Sequence, residues 1–185
     1  MSPVMKSSDD WDHKVKNFWL AVRLLFRPQI NKTAGTHIHV APWKKKFTLK
    51  QAQTIAFACC YYEPYIISFL PRERRDNKYC RRNTRVPGRM GSLYNRKTST
   101  AIAQIASDIK KKTSAKAIVD YIQGGVTSQH RYVLWNFQGL LRPTTGTIEF
   151  RGGRHMRGQN LTRRWIAFVI IFTLFALSEV REPDG

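Results

Sequence analysis

Two short stretches set complementary chemistry on alternating positions. The run 35–42, GTHIHVAP, alternates as a strand does. A two-residue period puts His37 and His39 on one face and Thr36, Ile38 and Val40 on the other. Two imidazoles on one strand face can reach one cation or one phosphate. A divalent metal held there needs a third and fourth ligand, usually carboxylates for Mg²⁺ or Mn²⁺. The plainer alternative is two solvent-facing sheet histidines. The second stretch is Thr147–Arg151, TIEFR, where Glu149 and Arg151 share a face and Ile148 and Phe150 turn to the core. A carboxylate beside a guanidinium suits a metal–phosphate site: Glu149 can hold a cation and Arg151 can grip an anionic oxygen through two N–H groups. The same pair can equally be a cross-strand ion pair.

A third feature is the segment Pro71–Met90. It carries Arg72, Arg74, Arg75, Lys78, Arg81, Arg82, Arg85 and Arg89 against only Glu73 and Asp76. Such a segment is a solvated loop, a phosphate-binding element for a nucleotide, or a nucleic-acid surface. Tyr79 interleaves with the basic residues and can stack on a base. No zinc-finger, RRM or helix-turn-helix pattern accompanies it, which weakens the nucleic-acid reading. The chain has no GxxxxGK[ST] phosphate loop, and Gly152–Gly153 reads as a turn after a strand. No Ser–His–Asp or Cys–His arrangement stands out.

The elements that must position these residues follow from periodicity and punctuation. Asp9 and Asp10 can cap a helix from Trp11 to Phe26, with Pro28 ending it. Thr48 and Gln51 form a capping box for a well-buried helix over Leu49–Tyr62, kinked at Pro64 and continuing to about Leu70. Pro87, Gly88 and Gly91 mark a loop. Two short helices follow, near Thr100–Lys111 and Ser114–Ile122, the second ended by Gly124–Gly125. Strands are expected at Tyr132–Phe137 and Thr147–Arg151, joined by a turn over Gly139–Gly146, and a last helix over Leu161–Leu177 capped by Asn160 or Thr162. That order makes an α+β fold, a small antiparallel sheet covered by helices. The expected division is a tail over 1–10, one domain over 11–178 and a tail over 179–185.

The 185 residues, 42% hydrophobic and 12% aromatic, exclude a wholly disordered chain. The formal charge of +20 points to anionic partners without saying which. Cys59, Cys60 and Cys80 are an odd set without framework spacing, which favours a reducing compartment, hence a cytoplasmic protein with buried thiols. The N-terminal stretch has no apolar h-region of a secretory signal. Trp165–Leu177 is thirteen apolar residues, short of the roughly 20 that span a bilayer, and reads as a buried core helix.

In order, the chain holds GTHIHV (35–40), YYEP (61–64), PRERRDNKYCRRN (71–83), WNF (135–137), GTIEFRGGRHMRG (146–158) and TRRWIAFVIIF (162–172). This ordered set resembles the amidoligase family in its fungal form, which is similar to the glutamine synthetase and carboxylate–amine ligase superfamily. The resemblance spans most of residues 11–177. It implies part of a glutamine synthetase-like catalytic domain and an ATP- and Mg²⁺- or Mn²⁺-dependent ligase. Such an enzyme phosphorylates a small-molecule carboxylate and lets an amine displace the phosphate, here in a biosynthetic, specialised-metabolite pathway. By resemblance His37 and His39 supply metal or nucleotide-phosphate contacts, Glu149 is a metal ligand and Arg151 holds the acyl phosphate or substrate carboxylate. Arg72, Arg74, Arg75 and Arg154 are further candidates for phosphate contacts. The family pattern opens with an E-x-E strand, whereas only Asp9, Asp10 and Asp12 precede His37. The expectation is therefore a chain lacking its first strands: truncated, completed by a partner or further segment, or turned into a non-catalytic binding module. A basic nucleic-acid-binding protein is the remaining alternative.

Overall fold

The computed structural model describes residues 4–27, 29, 34–75 and 77–178. Pro28, Asp76 and the expected tail at 179–185 lie outside the described residues.

The first helix, α1 (Trp11–Leu25), is capped by Asp10, whose side chain accepts from His13 N. Strand β1 is Gly35–Val40. Helix α2 (Leu49–Tyr61) starts on the expected capping box, with Thr48 and Gln51 each bonding the other's main chain. Pro64 sits in the first turn of α3 (Glu63–Phe69), where its missing N–H costs nothing. The basic segment is not one loop. It holds α4 (Arg72–Arg75), a 3-10 turn at Asn83–Arg85 and α5 (Arg89–Tyr94). Gly91 lies inside α5 because its bare Cα packs on the chain behind it: a Cβ there would meet Val86 O at 2.5 Å. Helices α6 (Ser99–Lys110) and α7 (Ala115–Gln123) match the expected pair, and Gly124 ends α7 in the left-handed region, φ 77°.

Strand β2 shrinks to Trp135–Asn136, because the preceding segment pairs elsewhere. Val133 bridges to Arg81 in parallel, with Leu134 N donating to Arg81 O at 2.7 Å. Strand β3 is longer than expected, Ile148–Arg154, so Gly152 and Gly153 continue the strand instead of turning. It is the middle strand of an antiparallel sheet ordered β1-β3-β2. A bulge between Thr36 and Ile38 leaves Arg151 and Gly152 of β3 to share the place opposite His37.

The last helix, α8 (Gln159–Ser178), starts earlier than expected. Thr162 is inside it rather than capping it: its hydroxyl donates to Gly158 O and accepts from Trp19 Nε1 of α1 at 2.8 Å. One face of α8, Trp165, Val169, Phe172 and Ala176, is buried. Trp135 stacks on Phe172 at 5.0 Å and Phe150 lies 5.5 Å from Trp165, which joins helix to sheet. The opposite face leaves Ile171 and Leu174 more than 60% exposed, so the helix is core on one side only. By length and composition it could cross a membrane, but one such helix is weak evidence, since core helices of soluble folds have the same character. The three cysteines are free and buried, as small hydrophobes are.

Gly152 is where this packing is tightest. A Cβ there would stand 2.6 Å from Phe150 Cζ and 2.7 Å from Leu134 Cδ1. Gly152→Ala should cost about 1–3 kcal/mol through overpacking. The check is a lower urea midpoint with an unchanged slope.

Candidate functional site

The register β1–β3 sets His39 directly opposite Glu149, and β2–β3 sets Asn136 on its other side. Because side chains alternate along each strand, all three project to one face. Glu149 thus becomes the centre of a cluster while its neighbours Ile148 and Phe150 enter the core. The residue is 5% exposed, as is Arg151. Its Oε1 takes Arg151 Nη1 at 2.8 Å, lies 3.1 Å from His37 Nδ1 and is 3.6 Å from His39 Nε2. Its Oε2 accepts from Asn136 Nδ2 at 2.7 Å. His37, His39, Glu149 and Arg151, proposed from separate strands, therefore form one constellation.

Further residues hold it. Arg151 Nε donates to Tyr79 O at 3.1 Å, and its guanidinium stands 5.5 Å from the Tyr132 ring. His39 Nδ1 lies 3.2 Å from Thr147 Oγ1. Behind the sheet, Gln123 at the end of α7 donates to Asn136 Oδ1 at 3.1 Å and accepts from Phe137 N. Asn83 donates to Trp135 O and accepts from Trp135 N, both at 2.9 Å. Sequence reading missed Asn136, Gln123 and Asn83. Asn136 alone left a signal, a polar residue inside an apolar strand.

The phosphate candidates separate. Arg74 is fully buried against β3 and beneath Gly35, and its Nη2 donates to Arg151 O at 2.6 Å. It braces the strand through this carbonyl. Its Nε and Nη1 have no hydrogen-bond partner among the described residues. Arg75 bonds Leu70 O and Ser68 O, closing the end of α3, and Arg72 is exposed on α4. Arg154 ends β3 opposite Gly35, and its carbonyl accepts from Thr36 Oγ1. None of the four joins the contacts around Glu149 described above.

Burial alone pushes the Glu149 carboxyl up. Hydrogen bonds from His37 and Asn136, with the charges of Arg151 and His39, outweigh it and hold the group at about 2. His39 is lowered from its usual 6.5, first by burial and then by His37, Arg142 and Arg151, although Glu149 pulls the other way. The pair is therefore a carboxylate beside a neutral imidazole at neutral pH.

The donor set does not fit a resident magnesium ion. Mg²⁺ asks for several oxygen ligands in near-octahedral order. Here one carboxylate is present, Oε2 is taken by Asn136, and the guanidinium of Arg151 already occupies Oε1 with its positive charge. Among the described residues no group of three His, Cys, Asp or Glu side chains is arranged to hold a metal.

The family model described as "Putative amidoligase enzyme" matches residues 1–172. The chain belongs to the amidoligase family. No curated protein and no solved structure matches it. Membership supports a ligase-like enzyme in general terms.

The lowered carboxyl sets a pH dependence. A group held below its unfolded value of about 4.5 stabilises the fold above that pH and loses its contribution as pH falls towards 2. The gap in unfolding free energy between the native protein and Glu149→Gln should be roughly 3 kcal/mol at pH 7, at 1.36 kcal/mol for each tenfold of pH. It should shrink steadily from pH 5 to pH 2, measured by urea titrations at each pH.

Proposed function

We propose that this chain is an amide-forming ligase that couples a small-molecule carboxylate to an amine at the expense of ATP. The observation that carries the reading is the convergence of His37, His39 and Arg151 on the buried Glu149 carboxylate, in a member of the amidoligase family.

A free carboxylate resists attack by an amine, because oxide is a poor leaving group and the anion repels nucleophiles. Transfer of a phosphoryl group from ATP to one carboxylate oxygen removes both obstacles. The amine then attacks the carbonyl carbon, the C–N bond forms, the C–O bond to phosphate breaks, and phosphate carries off the electron pair. The amine must also shed a proton. His39, neutral at physiological pH and about half exposed, can accept it at Nε2, where Glu149 Oε1 at 3.6 Å stabilises the new cation. Arg151 has spent Nη1 on Glu149 and Nε on Tyr79 O. Its Nη2 makes no hydrogen bond among the described residues and is the nitrogen offered to the acyl phosphate. Magnesium, if it takes part, needs oxygen ligands beyond this cluster, and none of these steps draws on it.

A non-catalytic binding module is the second reading, and one observation favours it: both Glu149 oxygens are already engaged within the protein. The two readings part on turnover. The purified protein, given ATP, Mg²⁺ and a panel of carboxylates and amines, should release phosphate in step with amide detected by mass spectrometry. His39→Ala should lower kcat by about 10²–10⁴-fold. The acid limb of the kcat/KM profile should fall below pH 6.5, because His39 must be neutral to act. A folded sample that makes no amide across the panel leaves the binding-module reading standing.

A further inference from the structure

Only 28% of the most apolar 18-residue stretch of α8 is buried, where a helix enclosed in a core would be mostly covered. Ile171, Leu174 and Phe175 stand three and four residues apart, so they share its outward face. That face widens onto α3. Tyr62 lies 5.3 Å from Phe175 and Phe69 lies 5.1 Å from Phe168, while Tyr65 and Phe69 are more than half exposed. Helix α1 adjoins through Trp19 and Asp12, which bond Thr162 and Arg163. It ends in Leu24 and Leu25, 85% and 69% exposed. Aromatic and aliphatic side chains left bare on three adjoining helices mark a surface where something binds.

The charge around this surface selects the partner. From Arg154 to Ser178 the chain carries four arginines and no acid. Counting every acid at both ends, residues 9–27 hold four lysines or arginines against three acids, and residues 154–185 hold five against three. The whole chain stands at +20. Arg164 is exposed seven residues before Ile171, so it prolongs the same face with a cation. Bare apolar surface beside positive charge is complementary to an anionic lipid surface, whose headgroups take the cations and whose acyl chains take the rings and branches. Tyr65 has the amphipathic ring favoured at headgroup level. Other occupants fit less well. A second copy would bring another +20 towards the same face. Residues 179–185 offer one aliphatic side chain, Val180, too little to cover it.

We propose that the outward face of α8 docks this protein on an anionic membrane surface, lying on the bilayer and not crossing it. Crossing would require the inner side of α8 to leave the sheet. Trp165, Val169, Phe172 and Ala176 are buried there, with Trp165 5.5 Å from Phe150 and Phe172 5.0 Å from Trp135. The helix therefore stays part of the fold while Ile171, Leu174 and Phe175 dip to the boundary of headgroups and acyl chains, about 5–10 Å deep. The inference is independent of the ligase reading.

Vesicles of phosphatidylcholine with about one quarter phosphatidylserine should co-sediment the full chain saturably, and vesicles of phosphatidylcholine alone far less. Attraction by charge alone is expected of any chain this basic, so the deciding variant keeps the charge. Ile171→Ser/Leu174→Ser, with a thermal melt like the native protein's, should weaken binding to the mixed vesicles roughly tenfold or more, because two aliphatic groups no longer leave water. Ile171→Leu/Leu174→Ile should bind within about twofold of native, since the apolar area is kept. Leu174→Trp should gain tryptophan emission that brominated lipid quenches beyond the quenching seen in the native protein. Absence of binding, equal binding to neutral and anionic vesicles, native-like binding by the serine pair, or no added quenching in Leu174→Trp would overturn the proposal. A dimer in sedimentation equilibrium that the serine pair disperses would overturn it likewise, by assigning the face to a second copy.

Discussion

A single carboxylate, buried and still ionised, sets the terms for the sheet. Taking Glu149 out of water is unfavourable by several kcal/mol unless partners are already in place. They come from all three strands: His37 and His39 from β1, Asn136 from β2 and Arg151 from β3 itself. Each contact requires the register that is observed. A one-residue slip of β1 would carry both histidines to the opposite face and bring Thr36, Ile38 and Val40 out of the packing beneath. The polar centre thus specifies the pairing, and the apolar layer of Phe150, Trp135 and α8 stabilises it.

The supporting groups extend well beyond the strands. Asn136 is set by Gln123 from the end of α7, and Trp135 by Asn83 from the 3-10 turn in the basic segment. Arg74 donates to the carbonyl of Arg151. Side chains from two distant parts of the chain, the basic segment and the end of α7, therefore meet the main chain around β2 and β3. This is why a β2 of only two residues suffices: its remaining hydrogen bonds go to side chains instead of to a longer ladder.

Much of this was legible from local rules. The GTHIHV alternation, the Thr48–Gln51 box, the paired helices before Gly124 and the shared face of Glu149 and Arg151 are all set by neighbours within a few residues, and all are present. What stayed hidden was decided at long range. The glycine pair after Arg151 has the composition of a turn, yet it remains strand because Phe150, Leu134 and Leu70 occupy the space a side chain would take. The basic segment looks uniformly solvated by composition, whereas Arg74 is fully buried and the segment folds into short helices and a 3-10 turn. No spacing rule distinguishes an arginine that braces a carbonyl from one that faces water.

The exposed side of α8 has a further consequence, in how molecules of this protein meet one another. Ile171, Leu174 and Phe175 present oily surface to solvent, which invites sticking on collision. The charge of +20 supplies a barrier to that encounter. The barrier has a range of about 10 Å in 0.1 M salt and about 3 Å in 1 M. Colloidal behaviour here is therefore a balance between one greasy helix face and a surplus of cations, and ionic strength tilts it: dilute buffer keeps the particles dispersed, while concentrated salt both shortens the repulsion and deepens the attraction.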